Sequence, residues 1–244
     1  MNAPAVVFDG VRKSYRVTRQ APNLSRKLLR WIVQQPEVVY RHEVLRGLDF
    51  TVHRGESVGI VGRNGAGKST LLSLIARTAK PDAGAVQVHG RVGPLLELGA
   101  GFHPELTGAE NVYMNGMLLG MSQEQIRERF DDIASFAGLG DFLHSPISSY
   151  STGMRARLGF AVVAHIDPDI LLLDEVLGVG DIDFRDKCGK VLRDFHSRER
   201  TIILVSHSAA SIRELCERVI WIDQGLVRMD GASDEVLKAY ASSR

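Results

Sequence analysis

The sequence predicts a three-layer α/β fold built around a mostly parallel sheet. Three short apolar runs, 57–61, 170–173 and 201–205, have the continuous hydrophobicity of strands that are buried on both faces. Helical patterns lie between these runs, and such alternation of strands and helices is typical of α/β proteins. A long segment of helical character, 100–165, interrupts the alternation, and we expect it to form a helical subdomain within a single domain over 1–244.

The composition is that of a folded globular chain. Of its 244 residues 44% are hydrophobic and 24% are charged, which argues against disorder. The net charge is +1, yet residues 1–54 carry 10 Lys/Arg against 4 Asp/Glu, a local charge of +6. The sequence contains no run typical of a membrane span or a signal peptide, so any work at a membrane would need a partner. Cys188 and Cys216 lack metal or redox spacing and are expected to be reduced thiols.

The basic N-terminal part contains two strand patterns and a segment of different character between them. The first strand pattern, at 6–8, ends at Asp9-Gly10, and the second covers 44–54. Segment 18–42 is an insertion that predicts a short amphipathic helix. Its apolar stripe and the basic residues beside it are Leu24, Leu28, Trp31 and Ile32, with Arg26, Lys27 and Arg30. This helix either packs on the domain or lies at a membrane surface, and the sequence leaves both alternatives open.

The elements that follow are predicted from breakers, caps and turn residues. A helix at 71–80 is ended by Pro81, and Ser122 with Gln125 forms a capping box for a later helix. The residues Asp223-Gln224-Gly225 predict the turn of a β-hairpin. Further elements are a strand at 85–88, helices at 153–166 and 233–240, and the hairpin at 218–231.

The strongest functional signal is the run 62–70, GRNGAGKST, which matches GxxxxGK[ST] between a buried strand and a helix. The glycines let backbone N–H groups face phosphate oxygens, and the helix N-terminus adds its dipole. Lys68 supplies a charge to the β- and γ-phosphates, and the Ser69 hydroxyl can bind Mg²⁺. A glycine-rich turn that matches by chance is the alternative, but the flanking strand and helix argue against it. The predicted ligands are ATP and Mg²⁺, held by Gly62, Asn64, Gly65, Gly67, Lys68, Ser69 and Thr70.

A second signal is the pair of carboxylates that ends the apolar strand at 170–173. Open α/β sheets place their ligands at the carboxyl ends of strands, so Asp174 can reach the metal ion. Glu175 can accept a proton from the water that attacks the γ-phosphate. Two acidic residues at a strand end are common by chance, and it is the phosphate-binding loop upstream that favours the functional interpretation.

In chain order, these two motifs and two weaker ones, YSTGM at 150–154 and His207 after the strand at 201–205, resemble the nucleotide-binding subunits of ABC transporters over nearly the whole chain. Segment 62–70 corresponds to Walker A, 170–174 to Walker B, and YSTGM at 150–154 stands where the family usually has LSGGQ. The resemblance implies a P-loop NTPase of ABC type with a RecA-like core, an antiparallel β subdomain and an inserted helical subdomain. It also implies a head-to-tail homodimer, in which Ser151 and Gly153 face the ATP that is bound by the partner.

The resemblance assigns five further residues. It implies that Tyr15 stacks on adenine, that Glu175 is the catalytic base, and that His207 is the switch histidine. Asp181 falls in the D-loop of the family. Glu97 stands where the family has the Q-loop glutamine, and a carboxylate there is a candidate metal ligand beside Ser69 and Asp174.

Several segments resemble one branch of the family, the bacterial exporters of polysaccharide and polyol phosphate. These segments are the insertion, LLELGAGFHPELTGAENV at 95–112, the unusual signature and the C-terminal sequence. The branch implies an ATPase at the cytoplasmic face of the inner membrane, bound to an integral membrane permease that makes most contacts with the lipid-linked glycan. The chain resembles the short form without a C-terminal carbohydrate-binding domain. The alternatives are the ATPase of a drug, lipid or ion transporter, and a non-transport ABC ATPase acting on DNA or ribosomes; we expect no nucleic-acid partner.

Overall fold

A computed structural model describes residues 3–18, 39–95, 101–174, 182–206 and 208–243. Within these ranges the chain forms two sheets and seven α-helices, and the predicted α/β fold is confirmed. The strands are β1 (Pro4–Thr18), β2 (Val39–His53), β3 (Ser57–Val61), β4 (Ala83–Val88), β5 (Val92–Leu95), β6 (Ile170–Asp174), β7 (Thr201–Val205), β8 (Arg218–Asp223) and β9 (Leu226–Ala232). The helices are α1 (Lys68–Ile75), α2 (Gly108–Leu118), α3 (Gln123–Ala137), α4 (Thr152–Ile166), α5 (Ile182–Ser197), α6 (Ala209–Leu215) and α7 (Ser233–Ser242).

The larger sheet has the strand order β5-β6-β7-β3-β8-β9 and is parallel except for the pair β8–β9. Every residue of β3 and β7 is buried, as the continuous apolar runs predict. Because parallel strands end at one edge, the loops that follow β3, β6 and β7 meet there. This edge carries the candidate site.

Side chains of the larger sheet alternate between two hydrophobic clusters, which gives the domain its three layers. Leu171 and Leu173 belong to one cluster, together with residues of α2 to α7. Ile170 and Leu172 belong to the other, together with residues of α1 and the small sheet. The period of two along each strand therefore divides the core between a helical layer and a layer of α1 with the small sheet.

The smaller sheet has the order β2-β1-β4 and is antiparallel. Strand β4 pairs only with residues 6–12 of β1, whereas β1 and β2 pair along their whole length, so 13–18 and 39–45 form a two-stranded ribbon. The expected end of the first strand at Asp9-Gly10 is wrong, because a change of register beside Gly10 lets β1 continue to Thr18. The expected insertion is also narrower than 18–42, since its first residue and 39–42 are strand. The helix predicted inside it falls on 19–38, outside the described residues.

Helix α1 ends earlier than predicted. It spans Lys68–Ile75, whereas the sequence suggested continuation to Pro81. Arg77 adopts a left-handed backbone with a φ of 60°, which ends a helix, and its guanidinium donates a hydrogen bond to the Val88 carbonyl at 2.7 Å. The residue that ends the helix is thus also in contact with β4.

The helices between β5 and β6 are found where the sequence predicts them. Ser122 and Gln125 form the predicted capping box of α3, and Ile126, Ile133 and Ala137 of this helix are buried. Two short 3₁₀ helices, Gly140–His144 and Ile147–Ser149, connect α3 to α4.

The described residues hold no helix that is both long and apolar enough to cross a bilayer. The predicted hairpin is present, with left-handed Gln224 and Gly225 between β8 and β9. Both cysteines are buried free thiols, and burial raises the pKa of each to about 12. Such thiols are largely protonated at neutral pH and therefore unreactive.

Candidate functional site

The phosphate-binding loop connects β3, between β7 and β8 in the larger sheet, to α1. A side chain on Gly62 would fall against the carbonyl oxygen of Ile222, and one on Gly67 would lie 2.6 Å from Leu45 Cδ2. Gly67 also has a φ of 104°, which side chains rarely adopt. Two of the predicted glycines are therefore required by close packing of the loop against β8 and β2.

The N-terminus of α1 presents backbone donors to the loop. Its N-cap is Gly67, which has no side chain to accept the N–H groups of the first turn, and that turn contains no acidic residue. Without a side-chain cap, the N–H groups of this turn and the helix dipole together favour an anion at this position. The helix begins at Lys68, so the predicted lysine and the donors belong to one short segment.

Lys68 is folded over the loop. Its side chain is 7% exposed, and Nζ donates hydrogen bonds to the carbonyls of Gly62 at 2.8 Å and Arg63 at 3.1 Å. A buried ammonium needs such partners because its desolvation is costly. These bonds hold the positive charge inside the loop that the sequence predicts to surround phosphate.

A cavity of about 380 Å³ opens at the loop, at the edge of the sheet where β6 and β7 end. It is within the size range of pockets that hold small ligands. The lining residues that the sequence predicted are Asn64, Gly65, Gly67, Lys68, Ser69, Thr70 and Asp174. Three further lining residues, His42, Val44 and Val205, were not predicted from the sequence. The structure thus brings together the Walker A loop and the last residue of β6.

The cavity contains oxygen atoms that can act as ligands of Mg²⁺. The Ser69 hydroxyl and the Asp174 carboxylate line the same space as Lys68 and the loop glycines. Mg²⁺ prefers hard oxygen ligands and is commonly held by one or two protein side chains together with substrate phosphates. The donor set therefore fits the predicted cofactor. Among the described residues no group of three or more His, Cys, Asp or Glu could hold a metal without such a substrate.

The signature residues do not line this cavity. Ser151 is the exposed N-cap of α4, and its hydroxyl accepts a hydrogen bond from the Met154 N–H at 3.2 Å. A side chain on Gly153 would have only Ser151 Oγ nearby, at 3.8 Å, so the backbone at this helix start is open to approach. One chain therefore keeps its signature apart from its own phosphate-binding loop.

Tyr15 lies on β1 directly opposite His42, with 42% of its surface exposed. A shift of register between Lys13 and Ser14 immediately precedes it. Asp82 holds this shift, since it accepts hydrogen bonds from the Ser14 N–H at 2.7 Å, the Ser14 hydroxyl at 2.8 Å and Lys13 Nζ at 3.0 Å. The bonds from Lys13 and Ser14 lower the pKa of Asp82 from 3.8 to about 2. Asp82 thereby fixes the position from which the outer ribbon extends.

Four predicted site residues lie outside the described part of the chain: Glu97, Glu175, Asp181 and His207. Two of them still have defined chain neighbours. Asp174 and Val205 are opposite each other in the parallel pair β6–β7, and both line the cavity. Glu175 directly follows the first of these residues, and His207 follows the second by two positions.

The family model and the similar proteins of known name agree on one family. The family described as ABC transporter matches residues 45–178. The chain is 46% identical over 200 residues to the O-antigen export system ATP-binding protein RfbB of Klebsiella pneumoniae, covering 82% of this chain and 81% of that protein. It is 45% identical over 241 residues to the ABC transporter protein AbcA of Aeromonas salmonicida, with coverages of 98% and 77%. It is 38% identical over 235 residues to the teichoic acids export ATP-binding protein TagH of Listeria innocua, with coverages of 96% and 69%.

Solved structures show the same fold at lower sequence identity. An ATP-binding subunit of an ABC transporter matches with a TM-score of 0.76 and 21% identity, covering 97% of this chain and 93% of that one. A dimeric ATP-binding cassette bound to ADP and Pi matches with a TM-score of 0.73 and 22% identity, covering 93% and 98%. At these identities the likeness supports the arrangement of strands and helices alone.

Proposed function

The chain belongs to the ABC transporter family, and we propose that it is the ATP-hydrolysing subunit that powers export of a lipid-linked polysaccharide across the bacterial inner membrane. A separate permease subunit would form the path through the membrane. The observation that carries the ATPase part is the cavity in which Lys68, Ser69 and Asp174 meet the N-terminus of α1. The similarity to proteins named for O-antigen and teichoic acid export supports the substrate class.

The loop binds the triphosphate of ATP through its backbone and Lys68. The phosphates lie over the uncapped N-terminus of α1, where N–H groups and the helix dipole offset their charge. The Lys68 ammonium, held by two loop carbonyls, would supply its charge to the β- and γ-phosphates. Mg²⁺ held by Ser69 and Asp174 would neutralise charge that develops on the phosphates during transfer.

Hydrolysis requires a base near the γ-phosphate, and we assign this role to Glu175. Its predecessor Asp174 ends β6 at the cavity, and the opposite residue of β7, Val205, lines the same cavity. Glu175 and His207 are therefore within a few residues of the two strand ends that border the nucleotide. Glu175 accepts the proton of the attacking water, and His207 helps to orient the γ-phosphate.

The complete site forms between two copies of the chain. The N-terminus of α4 has an exposed cap, Ser151, and no acidic residue in its first turn, so it is suited to bind an anion. It takes no part in the cavity of its own chain. In a head-to-tail homodimer Ser151 and Gly153 would face the γ-phosphate bound by the partner, and Asp181 would lie at the contact between the two sites.

In this proposal the permease is a separate protein, which is supported by the similarity to proteins named as the ATP-binding proteins of export systems. The ATPase would sit at the cytoplasmic face of the inner membrane, with substrate contacts mostly in the permease. The basic helix predicted at 18–42 would lie beside the permease and the bilayer surface, where each Lys or Arg near anionic lipid contributes about 1 kcal/mol. The names of the similar proteins favour polysaccharide over a drug, lipid or ion as the cargo.

The variant Glu175→Gln tests both the ATPase activity and the proposed export of polysaccharide. It keeps the size of the side chain but removes the base, so we expect hydrolysis to fall roughly 10²- to 10⁴-fold while ATP binding remains. In a strain that depends on this chain, surface polysaccharide should be lost and lipid-linked glycan should accumulate inside. Hydrolysis at the wild-type rate would contradict the assigned base, and normal surface polysaccharide without the chain would contradict the proposed cargo.

A further inference from the structure

The cavity has one wall that lies outside the phosphate-binding loop, and this wall belongs to β2. His42 and Val44 of β2 both line the cavity. Val44 is the extra residue at the register shift between Lys13 and Ser14, whereas His42 is in the regular ladder beyond it. Because His42 lines the cavity, the face of the ribbon that carries its side chain is turned towards the cavity. Among the described lining residues, His42 is the only one with a ring.

A second ring stands beside His42 on the same face. Tyr15 is directly opposite His42 in the antiparallel pair β1–β2, and opposed residues have Cβ atoms about 4.5–5.5 Å apart. Both side chains are exposed. Tyr40, the residue two positions before His42, shares the face and is 44% exposed. The ribbon therefore carries three flat side chains on one face, and His42 is the one of them that lines the cavity.

The opposite face of the ribbon has a different chemistry. Arg16 and Arg41 are opposed there, and Glu43 is paired with Arg12 at 3.3 Å. The ring of His42, in contrast, makes no hydrogen bond or ion pair with any described residue. One charged group shares the face of the rings: Lys13 Nζ lies 5.4 Å from the centroid of the Tyr15 ring and is paired with Asp82 at 3.0 Å. The ring of His42 has no such neighbour among the described residues and is left available for a ligand.

ATP has two chemically different ends, and the cavity offers a matching surface to each. The polyanionic end suits the uncapped N-terminus of α1 and Lys68. The flat base suits exposed rings, because every nucleobase has a π-face that stacks on planar side chains. We propose that His42 is a nucleotide-positioning residue, whose imidazole packs with Tyr15 against the nucleoside half of bound ATP. This assignment rests on the proposed function, in which the cavity takes ATP.

The experiment separates the two halves of the nucleotide. Isothermal titration calorimetry of the full chain measures dissociation constants for Mg·ATP and for Mg·tripolyphosphate, which lacks the nucleoside. We expect His42→Ala to weaken ATP binding about tenfold, which corresponds to about 1.4 kcal/mol, and to leave tripolyphosphate binding unchanged. His42→Phe keeps a flat ring and should bind ATP as the wild type does, whereas His42→Asn should behave like His42→Ala.

The matched control is Arg41→Ala, which removes the neighbouring exposed side chain from the other face of the ribbon and should change neither constant. Because His42 is exposed, the variants should keep the wild-type circular dichroism spectrum. The assignment is overturned if His42→Ala binds ATP within twofold of the wild type, if it loses tripolyphosphate equally, or if His42→Phe fails to restore binding. A wild-type chain that does not bind Mg·ATP would instead refute the proposed function itself.

Discussion

Replacing Lys68 by Ala should weaken the binding of ATP itself rather than only its turnover. The side chain is 7% exposed and its ammonium lies between the carbonyls of Gly62 and Arg63. No other described lysine or arginine lines the cavity, so no neighbouring cation can take over its role towards the phosphates. The variant therefore tests whether this cavity is the nucleotide site.

The size of the effect follows from two opposing contributions. A unit positive charge about 4 Å from a phosphate charge contributes about 4 kcal/mol at an effective dielectric constant near 20. Against this, Lys68 gives up or shares two hydrogen bonds to loop carbonyls, at 2.8 and 3.1 Å, and each contributes about 1 kcal/mol. The net loss on truncation is about 2 kcal/mol, or roughly a thirtyfold increase in the dissociation constant of ATP.

Calorimetry of Mg·ATP and Mg·tripolyphosphate binding would measure this loss, and both ligands should be affected because both carry the phosphates. The control is Lys80→Ala, which removes an exposed lysine that is not part of the cavity. Thermal unfolding must show that Lys68→Ala is folded, since two carbonyls lose their donor. A folded Lys68→Ala protein with wild-type affinity for ATP would refute the assignment of this loop.

Two further predictions concern stability. Gly62→Ala should reduce the free energy of unfolding by about 3 kcal/mol, because its Cβ would meet a backbone oxygen. Gly65→Ala has open space around it and should reduce the free energy of unfolding by only about 1 kcal/mol, because its backbone is left-handed. Equal losses of the two variants in urea unfolding would contradict the packing argument. Because hydrogen bonds lower the pKa of Asp82 from 3.8 to about 2, its carboxylate stabilises the fold fully above about pH 4, and the contribution is lost as the pH falls from about 4 towards 2. The stability difference between the wild type and Asp82→Asn should therefore shrink between pH 5 and pH 2, and a constant difference in urea unfolding over this range would contradict the stabilising role of the Asp82 hydrogen bonds.

Local patterns were sufficient for the elements that contain their own signals. The strand before the loop, the capping box of Ser122 and Gln125, and the hairpin at Gln224-Gly225 are all present as predicted. Each depends on residues that are neighbours in the chain, such as a cap and the N–H three positions later. One local signal was missed, since the buried residues Phe184, Cys188, Leu192 and Phe195 of α5 recur with the period of a helix.

The sequence by itself determined the phosphate-binding loop, because the glycines, the lysine and the hydroxyl are neighbours in the chain and their order places each of them at the phosphates. Only the tertiary structure decided what completes the cavity around them. Asp174 and Val205 reach it because parallel strands end at the same edge of the sheet. His42 reaches the cavity because β2 pairs with β1 in a particular antiparallel register. This register shifts beside Gly10 and again at Ser14, whose N–H donates a hydrogen bond to Asp82. Such pairings join residues that are distant in the chain, and no local pattern encodes their register.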